Sequence, residues 1–208
     1  MKIGYQLKQV QERLAKGLVD KGVLRTEKRN FLLFDMATHP VSDPTFKDDV
    51  LQRTLSLLTA RTAAVPSSSL YSANVRYRTI RAVSMVCAAF AANVLENALV
   101  HLGYDAREAA FAKCDELLAE FSQWPFGAVA AGASSRGSGI GSGTAAGERE
   151  GANLAEIGRL ARAEILGEGS KEPEGKDDQS MRELHLEIVA AALEIFRRCV
   201  SLAFFSTG

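Results

Sequence analysis

The sequence predicts a mainly α-helical fold: a helical bundle with one β-hairpin and a disordered Gly/Ala/Ser-rich insert. Three observations carry this prediction. Apolar residues recur at spacings of three and four through most of the chain, the period of helices with one buried side. A single stretch near the start has two short apolar runs around a polar connection, the pattern of a hairpin. Residues 127–151 hold 8 of the 17 glycines among alanines and serines, too little apolar volume to repay the entropy of ordering.

The elements follow in order. Within residues 5–21, Leu7, Val10, Leu14 and Leu18 form the apolar stripe of an amphipathic helix, with Lys8, Glu12, Arg13 and Lys16 on other faces. Gly22 is the expected C-terminal cap. Residues 23–27 and 31–35 then read as two strands joined by a basic tip, Lys28-Arg29-Asn30. Four consecutive large apolar residues, Phe31 to Phe34, cannot share one strand face, so this hairpin buries both faces or leaves one to meet something else. Asp43-Pro44 marks the start of a helix running to about Arg61, with Val50, Leu51, Leu55 and Leu58 turned inward. A Pro66-Ser67-Ser68-Ser69 loop follows.

Ile80, Val83, Cys87, Phe90 and Val94 then mark the expected central helix, whose many alanines permit close approach of its neighbours. Residues 107–121 form another helix, ended by Trp124-Pro125. After the insert come a short helix over 154–166, an acidic linker over 167–179 and a last helix over 181–205. That last helix is read as turning Leu184, Ile188, Ala192, Ile195, Cys199 and Leu202 to one side.

Composition narrows the function. With 208 residues and 47% of them hydrophobic, the chain can build a packed core. Its longest apolar stretch, Val83 to Leu95, is interrupted by Ser84 and Asn93 and is too short for a membrane span. The first residues show no signal sequence, so the cytosol is the expected compartment. Three cysteines without a C-x-x-C pair read as reduced core residues. The net charge is zero, yet residues 1–30 carry eight basic and three acidic side chains, while residues 148–187 carry six and eleven.

Little suggests catalysis. Gly141-x-Gly143-x-x-Ala146 matches a dinucleotide fingerprint only formally, because no strand feeds it. His39, His101 and His185 sit on different elements and suggest no metal site. No catalytic residue, metal or cofactor is expected. The informative signal is basic: Lys8, Arg13 and Lys16 on the first helix, and Arg25, Lys28 and Arg29 on the hairpin, are the residue types that hold phosphate. Beside them, Phe31 and Leu32 suit a membrane interface. A helix followed by a basic hairpin also fits a winged-helix nucleic-acid module, and a hairpin whose apolar face packs on the core or on another subunit fits too. Composition leaves the three open.

The strings YQLKQVQERLAKGLVDKGVLRTEKRNFLLFDMATHP (5–40), AANVLENAL (91–99) and EFSQWPF (120–126) closely resemble the Golgi phosphoprotein 3 family. The resemblance continues more weakly through the last helix and covers only the later part of the family's domain. Residues 1–208 are thus read as a single incomplete domain of this kind, with a disordered insert at 127–151 and an acidic linker at 167–179.

The resemblance implies a non-enzymatic adaptor, peripheral on the cytosolic face of the Golgi membrane, that binds phosphatidylinositol 4-phosphate and retains glycosyltransferases through their cytosolic tails. It implies homo-oligomers and no nucleic acid. Coatomer is a further implied partner, although the basic N-terminal tail that relatives use for it is absent from these residues. The family's headgroup pocket maps onto Lys8 and, one turn on, Gln11, where the family has a second basic residue; Arg13 is a neighbouring candidate. A Trp and an Arg of the family pocket belong to an earlier segment. The family hairpin, linked to self-association and membrane contact, maps onto Glu27 to Thr38, with Glu27, Lys28, Arg29, Phe31, Leu32, Leu33 and Phe34 as its candidate residues. Because part of the domain is missing, an exposed apolar face is expected on this chain alone.

Overall fold

The computed structural model describes residues 9–31, 34–60, 75–126, 145–167 and 176–205. Among them the order is α1 (Val10–Asp20), β1 (Glu27–Phe31), β2 (Phe34–Thr38), α2 (Pro44–Thr59), α3 (Arg78–Ala91), α4 (Glu96–Leu99), α5 (Tyr104–Phe121), α6 (Ala145–Leu166) and α7 (Lys176–Phe205). This is the predicted mainly α bundle with one hairpin. The chain divides into two compact units, Met1–Leu51 and Gln52–Gly208.

Helix boundaries follow local chemistry. The Asp43 carboxylate accepts the Thr45 amide at 2.9 Å and the Thr45 hydroxyl, so Asp43 caps α2 one residue ahead of Pro44. These bonds hold its pKa below the ordinary value. At the C-terminal end of α3, Asn93 takes a left-handed φ of 55°. Its amide donates to Phe90 O and the Val94 amide to Ala89 O, each at 3.0 Å. That is a Schellman ending with asparagine in the glycine position. It stops α3 at Ala91 and leaves Val94 exposed, contrary to its expected place on the central helix.

The core of the second unit is built around α3, which packs against α5, α6 and α7. Val83, Val86 and Cys87 are fully buried there, beside Cys114, Leu117 and Phe121 of α5. Ala82 keeps this surface low enough for neighbours to approach. Phe126 closes one end, 5.2 Å from Phe121 and 5.1 Å from the edge-on Trp124 ring. Burial pushes the Cys87 thiol up to about 12 and raises the Cys114 thiol as well, so both behave as small core residues.

One face of α6 ties the bundle together. Asn153, Ile157, Ala161 and Glu164 follow at spacings of four, four and three, and so share that face. Ile157 and Ala161 enter the core. At one end Asn153 Nδ2 donates to Ala60 O, just past α2, at 3.1 Å. At the other, Glu164 accepts the Thr79 amide at 2.9 and 3.0 Å and the Thr79 hydroxyl at 2.7 Å. The carboxylate therefore caps α3, whose preceding residue, Tyr77, offers no side-chain cap.

Several expectations shift. In α2 the buried residues are Arg53, Thr54, Leu57 and Leu58, whereas Val50 is exposed and Leu51 and Leu55 are only half-buried. Helix α5 begins at Tyr104, three residues early, and the short α4 is an addition to the expected elements. Helix α6 begins at Ala145 rather than Leu154, taking in residues 145–151 of the expected insert; its remainder, 127–144, lies outside the described residues, as does the 66–69 loop. Helix α7 begins at Lys176, inside the expected acidic linker, of which residues 168–175 also lie outside.

The largest correction concerns the inward face of α7. Leu186, Ala190 and Leu193 are buried, with Val189, Phe196 and Val200 packed beside them. The face expected to be inward is the exposed one: Leu184, Ile188, Ala192, Ile195 and Cys199 all face away from the core. Both stripes have helical spacing, so periodicity alone does not rank them.

Two tests follow. Glu164→Ala leaves the buried Thr79 donors unsatisfied and should lower stability by about 1 to 3 kcal/mol in urea denaturation, whereas Glu164→Gln, which keeps an acceptor, should lose less. On α7, Arg197 donates to Glu194 at 2.6 and 2.9 Å and Arg198 at 2.8 Å. These bonds depress the Glu194 carboxyl from 4.5 to about 2. A depressed acid stabilises above its unfolded pKa and loses that contribution as pH falls. Glu194→Gln should therefore cost under about 1 kcal/mol at pH 6, given the solvent-screened arginines, and the deficit should vanish between pH 4.5 and 2.

Candidate functional site

The basic helix and the hairpin both lie in the first unit. Helix α1 ends as its glycine requires. Gly22 has φ of 74°, its amide donates to Val19 O at 2.9 Å, and the Val23 amide donates to Leu18 O at 2.9 Å. This is a complete Schellman motif, and it turns the chain at once from helix into extended backbone. A Leu24–Val41 bridge, with Arg25 N donating to Pro40 O and Ser42 N to Val23 O, both at 2.9 Å, then closes the base of the hairpin. Thr38 Oγ1 donates to Glu27 O at 3.2 Å, and Arg25 pairs with Glu27 at 2.6 Å.

The hairpin register runs from Glu27 opposite Thr38 to Phe31 opposite Phe34. The paired segment thus matches the 27–38 span implied by the family resemblance, and corrects the strands read from propensity by about four residues. Lys28, Arg29 and Asn30 are strand residues rather than the tip. The two-residue connection, Leu32-Leu33, lies outside the described residues, as does Lys8. Of the first strand expected over residues 23–27, Glu27 pairs with Thr38 and Leu24 bridges to Val41, neither of them with residues 31–35.

This register separates charges that are adjacent in the sequence. Side chains alternate along a strand. Arg29 therefore shares a face with Met36, its cross-strand partner, while Lys28 shares the other with Ala37. Both basic residues are exposed, and so is Met36, at 50%. Met36 is not among the residues that sequence reasoning singles out, although its place two residues beyond Phe34 on a strand is the available signal.

On α1, Gln11 and Arg13 are exposed, and a separation of two residues turns them to different sides of the helix. The side chains of Gln11, Arg13, Lys16, Lys28 and Arg29 form no hydrogen bond or ion pair with other described residues. The stripe of α1 is unusual as well, since Val10, Leu14 and Leu18 are all exposed and the helix buries no residue. Chemically, the described part of this unit presents exposed cations, with no ion-pair partner among the described residues, beside exposed apolar side chains. That combination suits an anionic, partly apolar surface.

Among the described residues, no group of three or more His, Cys, Asp or Glu side chains is placed to hold a metal ion. None of the described helices is long and apolar enough to cross a membrane.

Comparison with known proteins bears on this unit directly. The family described as Golgi phosphoprotein 3 (GPP34) matches residues 2–136, which take in α1, the hairpin and the bundle as far as α5. A vacuolar protein sorting-associated protein 74 of Schizosaccharomyces pombe is 44% identical over 202 residues, covering 97% of this chain and 51% of its own length. Its namesake in Eremothecium gossypii is 50% identical over 126 residues, 61% of this chain and 38% of its own length. The chain thus spans about half, or less, of the relatives it matches.

Gly22 sets the turn between the two candidate elements, and alanine there is strained by the left-handed backbone. Gly22→Ala should destabilise the motif by about 1 kcal/mol. Hydrogen exchange at the Val23 amide should then quicken roughly fivefold.

Proposed function

Since the chain belongs to the Golgi phosphoprotein 3 family, we propose that it acts as a non-enzymatic adaptor, peripheral on the cytosolic face of the Golgi membrane. In this reading it binds phosphatidylinositol 4-phosphate, retains glycosyltransferases through their cytosolic tails and works as a homo-oligomer. The observation that carries the reading is the family match over residues 2–136, which includes the basic helix and the hairpin.

The chemistry of the first unit supports it. Arg13, Lys16, Lys28 and Arg29 are charges without an internal partner among the described residues, and each cation near an anionic leaflet adds about 1 kcal/mol. The exposed α1 stripe and Met36 supply apolar area beside them. Lys8 and Gln11, one helical turn apart in sequence, are the proposed headgroup contacts, with Arg13 as a neighbour. Gln11 donates hydrogen bonds but brings no charge, so Lys8 carries the charge-assisted contact. The hairpin from Glu27 to Thr38, with Phe31, Leu32, Leu33 and Phe34 around its connection, is the proposed membrane or subunit contact.

Co-sedimentation with neutral liposomes, with and without phosphatidylinositol 4-phosphate, tests this reading. Lys8→Ala should weaken the lipid-dependent binding by about ten- to a hundredfold, as expected for loss of a charged hydrogen bond of roughly 1.5 to 3 kcal/mol. Gln11→Arg should strengthen it. Binding that neither substitution alters would show the headgroup contacts to be wrongly assigned.

A further inference from the structure

The face of α7 turned away from the core is itself apolar. Met181, Leu184, Ile188, Ala192, Ile195 and Cys199 recur at three, four, four, three and four residues and therefore form one stripe. All are exposed, Ile188 at 58% and Ile195 at 60%. At the helical rise the stripe is about 27 Å long. A continuous apolar strip of that length marks a surface made to be covered.

Three observations identify what covers it. Between Met181 and Cys199 three acidic side chains, Glu183, Glu187 and Glu194, balance three basic ones, Arg182, Arg197 and Arg198, so the stripe has no net positive charge to draw an anionic lipid surface. Ala191 and Ala192 sit mid-stripe between the larger Ile188 and Ile195, leaving a shallow saddle into which the side-chain ridge of another helix fits. Finally, 97% of this chain is accommodated in 51% of the Schizosaccharomyces pombe relative. About half of that protein therefore lies outside the matched region. We propose that the exposed face of α7 is the seat of an amphipathic helix from the half of the family protein that these 208 residues do not span. The proposal rests on family membership and on α7, and is independent of lipid binding.

The test uses the whole 208-residue chain, co-expressed with the unmatched half of the Schizosaccharomyces pombe relative. Cys199 is the reporter, because it is exposed whereas Cys87 and Cys114 are buried. The two polypeptides should co-purify, and alkylation of Cys199 should slow at least tenfold relative to the chain alone. The double substitution Ile188→Glu, Ile195→Glu should abolish co-purification while leaving helicity and the protection of Cys87 and Cys114 unchanged, since both isoleucines are exposed. Failure to co-purify overturns the proposal, as does co-purification that the double substitution leaves intact. Concentration-dependent protection of Cys199 in the chain alone assigns the face to a second copy and also overturns it. Protection by phosphatidylserine vesicles assigns the face to a membrane and overturns it equally.

Discussion

The arrangement of the second unit depends on one long-range contact, the Glu164 carboxylate at the N-terminus of α3. A helix start leaves backbone amides without intrahelical partners, and the sequence around Tyr77 supplies no side chain to satisfy them. Glu164 does so from 85 residues away, through both oxygens on the Thr79 amide. Fixing that carboxylate also fixes the rotation of α6 about its axis, since Ile157 and Ala161 share its face and must then enter the core. Asn153, further along the same face, meets the end of α2. The apolar middle of α6 supplies burial and its polar ends supply position.

What is legible in the sequence follows from which signals are local. Asp43-Pro44 announces α2, and Gly22 announces the end of α1, because a cap and a left-handed residue act on their immediate neighbours. Asn93 carries the same information as Gly22, but an apolar spacing that runs past it to Val94 masks it. The start of α6 is hidden for a compositional reason: Gly147 and Gly151 outweigh the good helix formers between and around them. The inward face of α7 is not legible at all. A helix with two apolar stripes states only that both are to be covered, and tertiary packing decides which partner each one meets.

The candidate site shows the same division. Residue types in the first helix and hairpin identify a basic, partly apolar element, and that description holds. Their grouping around one point does not follow, because it depends on the hairpin register. Lys28-Arg29-Asn30 has the polarity of a tip, while the residues between the paired strands in the sequence are Leu32-Leu33, which carry none of the usual turn signals. Once the strands pair from Glu27 to Phe31, alternation sends Lys28 and Arg29 to opposite faces. A cluster counted along the chain thus becomes two separate charges, each beside a different cross-strand neighbour. The resemblance to family members locates the paired segment where strand propensity does not.

The separation between Thr79 and Glu164 also orders events during synthesis. A ribosome adding about 5 to 20 residues per second needs roughly 4 to 17 s to cover 85 residues. Through that interval α3 exists without the carboxylate that caps it, and α7, which covers much of its apolar surface, is made later still. The second unit therefore cannot close from its N-terminal side as it is translated. Its helices wait, in contact with water or with chaperones, for the last quarter of the chain.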